Sequence, residues 1–197
     1  MNANTEHGVS RAAGGFRPKH TFYHPNSRGT GAALQLELHP ASDNAEGCLM
    51  AKLAGQLTVG ESGGAQPVCA RFGWDEAIAI KLGFNDLSKM LQVFRGECES
   101  LENGKGLYHR TPRGATRINL RHQIDVVPGF LFECYRSLKS GKESHAAINL
   151  TAYEATGLAE AIASSMGLIC FGIPLPAGRD GLEGKTATGE QRNAPAA

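Results

Sequence analysis

The sequence lacks two features that would place a protein in or across a membrane. No apolar run approaches the about 20 residues that a transmembrane helix requires. The first nineteen residues, MNANTEHGVSRAAGGFRPK, contain no apolar segment of the kind that a secretory signal carries. We therefore expect a protein of a bacterial-type cytoplasm, with no membrane among its partners.

Cysteine is scarce, odd in number and unclustered. No CxxC pair occurs, and the five cysteines are widely spaced, at Cys48, Cys69, Cys98, Cys134 and Cys170. A disulfide framework uses an even number of cysteines, and a zinc site needs closely spaced ligands. The pattern predicts buried free thiols in a reducing compartment, and it predicts neither a metal nor a cofactor.

Motifs for catalysis and metal binding are also missing. GESGG at 60–64 has the spacing of a nucleophile elbow around Ser62, but a strand rather than a helix is expected after it. GRDGLEGKT departs from the phosphate-loop spacing by one position, at Gly178. His20 and His24 are four residues apart, but the following proline argues against a helix, so we expect them in a loop. The chain is therefore not expected to be an enzyme.

Composition divides the chain into three segments. Residues 1–19 are small and polar, and we expect a flexible N-terminal arm. Residues 20–173 carry every aromatic except Phe16 and are expected to form one domain. Residues 174–197 contain no aromatic and are expected to be a disordered C-terminal tail.

The periodicity of apolar residues predicts an α+β domain. AALQLELH, CLMAKLAGQLTV, PVCARFGW and EAIAIKLG are predicted strands, followed by the helix FNDLSKMLQVFRGE with Asn85 as N-cap and Gly96 as stop. GLYHR, ATRINLRHQ, GFLFECYR and ESHAAINL are four further strands. A second helix then opens with a capping box, Thr151 to Glu154. The order predicts two antiparallel four-stranded sheets, each followed by a helix.

Positive charge is concentrated in one stretch of a nearly neutral chain. Between Asn103 and Ile124 there is no acid, and five basic residues give +5, which leaves −4 for the rest because the net charge is +1. On a strand, Arg117 and Arg121 share one face while Ile118 and its neighbours point to the core. Two interpretations remain open here: a row of guanidinium groups for phosphates, or a solvated strand face whose arginines pair with acids elsewhere.

Several stretches together resemble the Whirly family of single-stranded-DNA-binding proteins, whose fold is shared by mitochondrial guide-RNA-binding proteins. The resemblance covers about residues 22–172 and runs through FYHPNSRGTGAALQLELHP, RFGWDEAIAIKLGFNDLSKML and GLYHRTPRGATRINLR. The chain is similar to a bacterial-type member. It departs from the family at Gly29-Thr30-Gly31, where the family has a lysine–glycine–lysine step.

The resemblance implies a homotetramer with helices at its centre and single-stranded DNA bound along the sheets. Binding would be largely sequence-tolerant, with roles in repair, recombination or transcription. Aromatic side chains would stack on bases and basic side chains would hold phosphates. The expected phosphate contacts are Arg28, Lys81, Arg110, Arg113, Arg117 and Arg121, and the expected stacking residues are Phe22, Tyr23 and Tyr108. The alternatives are an RNA-binding or annealing protein, and a structural interaction protein without nucleic-acid affinity.

Overall fold

A computed structural model describes residues 18–61, 68–124 and 127–173. The described strands and helices follow one another as β1 Lys19–His24, β2 Ala32–His39, β3 Cys48–Thr58, β4 Arg71–Phe72, β5 Ile78–Leu82, α1 Phe84–Phe94, β6 Leu107–Thr111, β7 Gly114–Gln123, β8 Gly129–Leu138, β9 Glu143–Leu150 and α2 Ala152–Phe171. The predicted tail, nearly all of the predicted arm, Ser62 and Gly178 lie outside the described residues.

The first sheet is antiparallel and four strands wide. β1 pairs with β2, and β2 pairs with β3. Because β2 occupies one edge of β3, the other edge is shared: β5 pairs with Leu49–Leu53, and β4 pairs with Gln56 and Thr58, with a register shift between these two pairs. The sheet therefore contains the four predicted strands and a fifth, β1, that was not predicted.

Two features of this sheet differ from the sequence prediction. His20 and His24 lie on β1 rather than in a loop, because Phe22 pairs opposite Leu34 and is buried with it. The predicted strand PVCARFGW contributes only Arg71–Phe72 to the ladder, since the bulge in β3 ends regular pairing there.

The second sheet is an antiparallel meander in which β6, β7, β8 and β9 pair in chain order. All four strands lie within two residues of their predicted bounds. Consecutive antiparallel strands need only tight turns, and the turn after Thr111 returns through Gly114, as TPRG predicts. The fold class inferred from the sequence, α+β with two antiparallel sheets each followed by a helix, is confirmed.

The helix termini confirm one capping prediction and correct another. Thr151 caps α2: its hydroxyl accepts from the Glu154 N–H, and the Glu154 carboxylate accepts from the Thr151 N–H at 2.8 Å. The prediction of Asn85 as N-cap of α1 is wrong, because α1 begins directly after Gly83 and the Asp86 carboxylate accepts from the Gly83 N–H. Gly96, with φ of 74°, ends α1 as predicted.

One hydrophobic core joins both sheets and both helices. β9 lies against β2, β3 and β5, so the two sheets pack on each other through it. All five cysteines are free, but only Cys48 and Cys134 are buried, so the prediction of buried thiols is wrong for the three exposed ones. Across the part of the chain that the structure describes, no helix combines the length and the apolar character needed to cross a bilayer.

Candidate nucleic-acid interface

The outer face of the second sheet carries the basic block. Ile118 and Leu120 of β7 are fully buried, and the alternation of the strand turns Arg117 and Arg121 to solvent. Tyr108 and Arg110 extend this face on β6, because they pair opposite Arg117 and Ala115. Arg113 is exposed at the turn between β6 and β7. The structure thus brings together five of the nine predicted site residues.

A row of aromatic and cationic side chains crosses all four strands of this face. The strand register aligns Tyr108, Arg117, Tyr135 and His145. The Arg117 guanidinium carbon lies 4.9 Å from the Tyr135 ring centroid, and the His145 ring stacks on Tyr135 at 4.2 Å between centroids. At the β6 edge, the Arg110 guanidinium lies 5.7 Å from the Tyr108 centroid. We call these five residues the cross-strand row.

The cross-strand row holds its two arginines over aromatic rings, and both side chains are exposed. An arginine over an aromatic ring is attracted to the π-electrons without using its N–H groups. Within residues 18–61, 68–124 and 127–173, no ion pair involves Arg110, Arg113, Arg117 or Arg121. The interpretation that these arginines pair with acids elsewhere is therefore wrong for the described residues.

Tyr135 is fixed between its neighbours rather than open to solvent. Burial raises the pKa of its hydroxyl, and the nearby Glu133 carboxylate raises it further, against the opposing charges of Arg117 and Arg121. The hydroxyl donates to Glu133 Oε1 at 3.3 Å. Beside Tyr135, a groove of about 350 Å³ runs between Tyr108 and His145. The surfaces available to a ligand are therefore the groove and the outer rings of the row.

A second aromatic surface lies on the first sheet. The rings of Tyr23 and Phe72 have centroids 5.5 Å apart, and Trp74 meets Tyr23 edge-on at 6.4 Å. Strands β1 and β4 are separated by β2 and β3, so their backbones lie about 14 Å apart. Both side chains must therefore lean inward across the sheet. The small residues beneath them, Ala33 and Ala54, are 0% and 1% exposed.

The remaining predicted residues are dispersed over the first sheet. Tyr23 is 55% exposed, but Phe22 is 9% exposed and packed in the core, so its ring offers little surface to a base. Arg28 is exposed in the loop before β2. Lys81 is exposed on β5, opposite Met50, at the far end of the sheet from Tyr23. Lys81 and Arg28 therefore do not share one cluster with the arginines of β7.

The loop that carries Arg28 is held in shape by two amides. Asn26 Oδ1 accepts from the backbone N–H of Arg28 and of Thr30, which makes a local Asx turn. The Gln56 side chain accepts from the N–H of Asn26 and Gly31 and donates to the Asn26 carbonyl at 3.0 Å. The loop therefore presents Arg28 on a fixed support.

Sequence reasoning missed three residues of these two surfaces as site residues: His145, Phe72 and Trp74. His145 becomes visible only through strand register, which places it beside Tyr135 and two strands from Arg117. Trp74 carried a usable signal, because it is the only tryptophan in the chain. Across residues 18–61, 68–124 and 127–173, no group of three or more histidine, cysteine, aspartate or glutamate side chains is arranged to hold a metal ion.

Comparison with known proteins finds the same architecture. No family model and no curated protein matches the sequence. The crystal structure of WHY1 from Arabidopsis thaliana is similar, with a TM-score of 0.61 and 17% identity over 79% of this chain and 86% of that one. The fold is Whirly-like.

Two further solved structures share this Whirly-like fold. The plant transcriptional regulator PBF-2 has a TM-score of 0.56 and 17% identity, over 78% of this chain and 82% of that one. MRP1/MRP2 of Trypanosoma bruciei has a TM-score of 0.54 and 12% identity, over 78% and 86%. At these identities the likeness establishes the fold alone.

Proposed function

We propose that this chain is a non-enzymatic protein that binds single-stranded DNA, largely independent of sequence, and that it protects or regulates exposed strands. The observation that carries the proposal is the cross-strand row, in which arginines without an ion pair among the described residues lie against aromatic rings on one exposed face. The family resemblance and the solved structures of the same fold, one of them a plant transcriptional regulator, support it.

The chemistry of the row suits an unpaired strand. Arginines spaced along β6, β7 and their turn would neutralise successive phosphates and release counterions, which makes affinity fall with salt. Tyr108 is 59% exposed and could accept a base on its ring. A duplex hides the faces of its bases, so stacking favours single strands.

The aromatic cluster of the first sheet is the second contact surface in this proposal. Strand β1 ends directly before the loop that presents Arg28, and Gln56, which holds that loop, pairs opposite Phe72, so a base and its phosphate could be held there together. Lys52 is exposed on the same face, two residues along β3 from Ala54. Phe22 is no longer included among the proposed contacts because of its burial.

We further propose assembly through α2, as the resemblance implies for a homotetramer. The helix contains only two charged residues, Glu154 and Glu160. Tyr153 and Phe171, at its two ends, are 82% and 90% exposed. Large exposed apolar side chains on a nearly uncharged helix are typical of a buried subunit contact.

Titration with labelled oligo-dT, oligo-U and a duplex, each at two salt concentrations, tests the proposal. Trp74 provides a second signal, because a base stacked near it should quench its fluorescence. We expect tightest binding to oligo-dT, weaker binding at higher salt, and little binding to duplex. A preference for oligo-U would favour the RNA-binding alternative. Absence of binding to any of the three at low salt would leave a structural interaction protein.

A further inference from the structure

A second, smaller cavity opens on the same face as the cross-strand row. Its volume is about 190 Å³, and it lies between β7, β8 and the segment 100–104, which pairs with β7 through a bridge from Ser100 to Arg121. Its polar lining combines a cation with acceptors, namely Arg121, Glu133, Asn119 and Ser100. We call it the β7–β8 pocket.

Glu133 is an unexpected residue at the centre of a phosphate-binding face. Its side chain is only 15% exposed. Oε1 accepts from the Tyr135 hydroxyl at 3.3 Å and lies 3.7 Å from His145 Nε2, whereas Oε2 contacts no partner among the described residues. Neither Arg117 nor Arg121 forms an ion pair with it. A carboxylate repels phosphate, so this position suits a ligand group that donates hydrogen bonds.

Asn119 adds to the pocket a second polar group whose hydrogen-bonding capacity is not fully satisfied. It pairs directly opposite Glu133 on β7. Its Oδ1 is buried and has no hydrogen-bond partner in the part of the chain that the structure describes. Buried polar atoms are almost always satisfied, so unmet ones frequently mark the place of a missing ligand or water.

The segment that contributes Ser100, Leu101 and Gly104 to the pocket contains backbone in an unusual conformation. Glu102 and Asn103 have φ of 48° and 53°, and Gly104 follows at 84°. The left-handed region is costly for residues with a side chain and is found where a binding site holds it in place. An ion pair from Lys89 to Glu102 anchors this segment to α1.

We propose that the β7–β8 pocket reads the Watson–Crick edge of guanine within a bound single strand. Guanine alone presents two adjacent donors, N1–H and the N2 amino group, which match the two oxygens of the Glu133 carboxylate. The neighbouring guanine O6 would accept a hydrogen bond from the Arg121 guanidinium, a group that commonly donates to this oxygen in protein–DNA complexes. Thymine and uracil present one N–H between two carbonyl oxygens. The Glu133 carboxylate would repel those two oxygens.

This inference rests on the proposed function. It makes one position of the bound strand an exception to sequence-tolerant binding. Elsewhere along the strand, phosphates and stacking carry no sequence information. At the pocket, the bidentate contact should favour one isolated guanine in an oligo-dT by about tenfold over thymine.

Three oligonucleotides that differ at one central base test the inference on the unaltered protein. The base is guanine, hypoxanthine (the base of inosine) or thymine. Hypoxanthine differs from guanine only in lacking the N2 amino group. We expect the order guanine, hypoxanthine, thymine in falling affinity. Equal affinity for all three would overturn the inference while leaving the proposed function intact. Absence of binding to all three would overturn both.

A variant with a matched control separates base reading from general charge. Glu133→Gln should abolish the preference for guanine over hypoxanthine and strengthen binding to oligo-dT. Glu143→Gln removes an equal charge from the same face, at an exposed position of β9. It should strengthen binding to all three oligonucleotides equally and keep the preference. A preference that survives Glu133→Gln would exclude Glu133 as the reading group.

Discussion

At the scale of single residues, the cross-strand row explains how arginine can be ordered and still available. Tyr135 contacts the Arg117 guanidinium from β7 and the stacked His145 ring from β9. Stacking restricts the guanidinium without consuming its N–H donors, so less conformational entropy is lost when a phosphate arrives. Because these two neighbours occupy its ring, Tyr135 itself is not available to stack on a base.

Reversing charge on the outer face of the second sheet should abolish binding. The double substitution Arg117→Glu and Arg121→Glu removes two phosphate contacts and places two repelling carboxylates on the face. We expect loss of oligo-dT binding in a fluorescence titration, with unchanged oligomeric mass. Arg95→Glu is the matched control, because Arg95 is exposed at the end of α1 and is not among the proposed contacts. Unchanged affinity in the double variant would refute the site assignment.

At the scale of elements, the N-terminus of α2 connects the second helix to the edge of the first sheet. Glu154 accepts from Thr151 within the capping box and from His24 Nε2 of β1 at 2.8 Å. Burial alone would raise the pKa of this carboxyl, but the hydrogen bonds from His24 and Thr151 outweigh burial and hold the pKa below its ordinary value. One side chain thus fixes both the start of the helix and its position against β1.

The lowered pKa of Glu154 gives its contribution to stability a defined pH range. The stabilisation is complete above the unfolded pKa, about 4.3, and is lost as pH falls through the lower folded pKa. Glu154→Gln should therefore lower the free energy of unfolding by about 1 kcal/mol at neutral pH. In urea titrations the difference from the unaltered protein should shrink as the solution is acidified below that range. Glu97→Gln, at an exposed position after α1, should show neither effect.

The sequence predicted elements well where the pattern was local. Strand β2 and strand β9 have the bounds that alternation predicted, and the Thr151 cap followed from its spacing to Glu154. The predicted start of α1 was wrong because Asn85 is, by residue type, a better N-cap than Gly83. In the structure the Asp86 carboxylate accepts a hydrogen bond from the Gly83 N–H, and this contact sets the start of the helix. Strand β1 was missed because Pro25 and two histidines resemble a loop when the pairing partner is unknown.

At the scale of the whole molecule, the candidate site depends on contacts between residues distant in sequence. The placement of Arg117 and Arg121 on an outer face could be predicted from a period of two. The stacking of Tyr135 on His145 could not, because it requires the register of β8 against β9. The approach of Tyr23 to Phe72 likewise spans four strands and depends on alanines beneath the rings.

Assembly through α2 is tested by placing a charge on its outer surface. Ser164 is exposed among the small residues of the helix, and arginine there would have to be desolvated in a subunit contact. We expect Ser164→Arg to reduce the particle mass measured by light scattering from that of a tetramer, with unchanged circular dichroism. Gln92→Arg, on the exposed surface of α1, is the control. An unchanged mass for Ser164→Arg would place the contact elsewhere.

The arginines of the second sheet should also strengthen DNA binding at the expense of the stability of the free protein. Four arginines of this sheet that form no ion pair among the described residues outnumber the two carboxylates of its outer face, Glu133 and Glu143, so they repel one another in the free protein, and dissolved chloride salt screens that repulsion. Added salt should therefore raise the melting temperature of the free protein while it weakens the complex with DNA. Replacing Arg117 by glutamine should raise the melting temperature at low salt and reduce its response to salt. Differential scanning calorimetry at two ionic strengths would measure both effects.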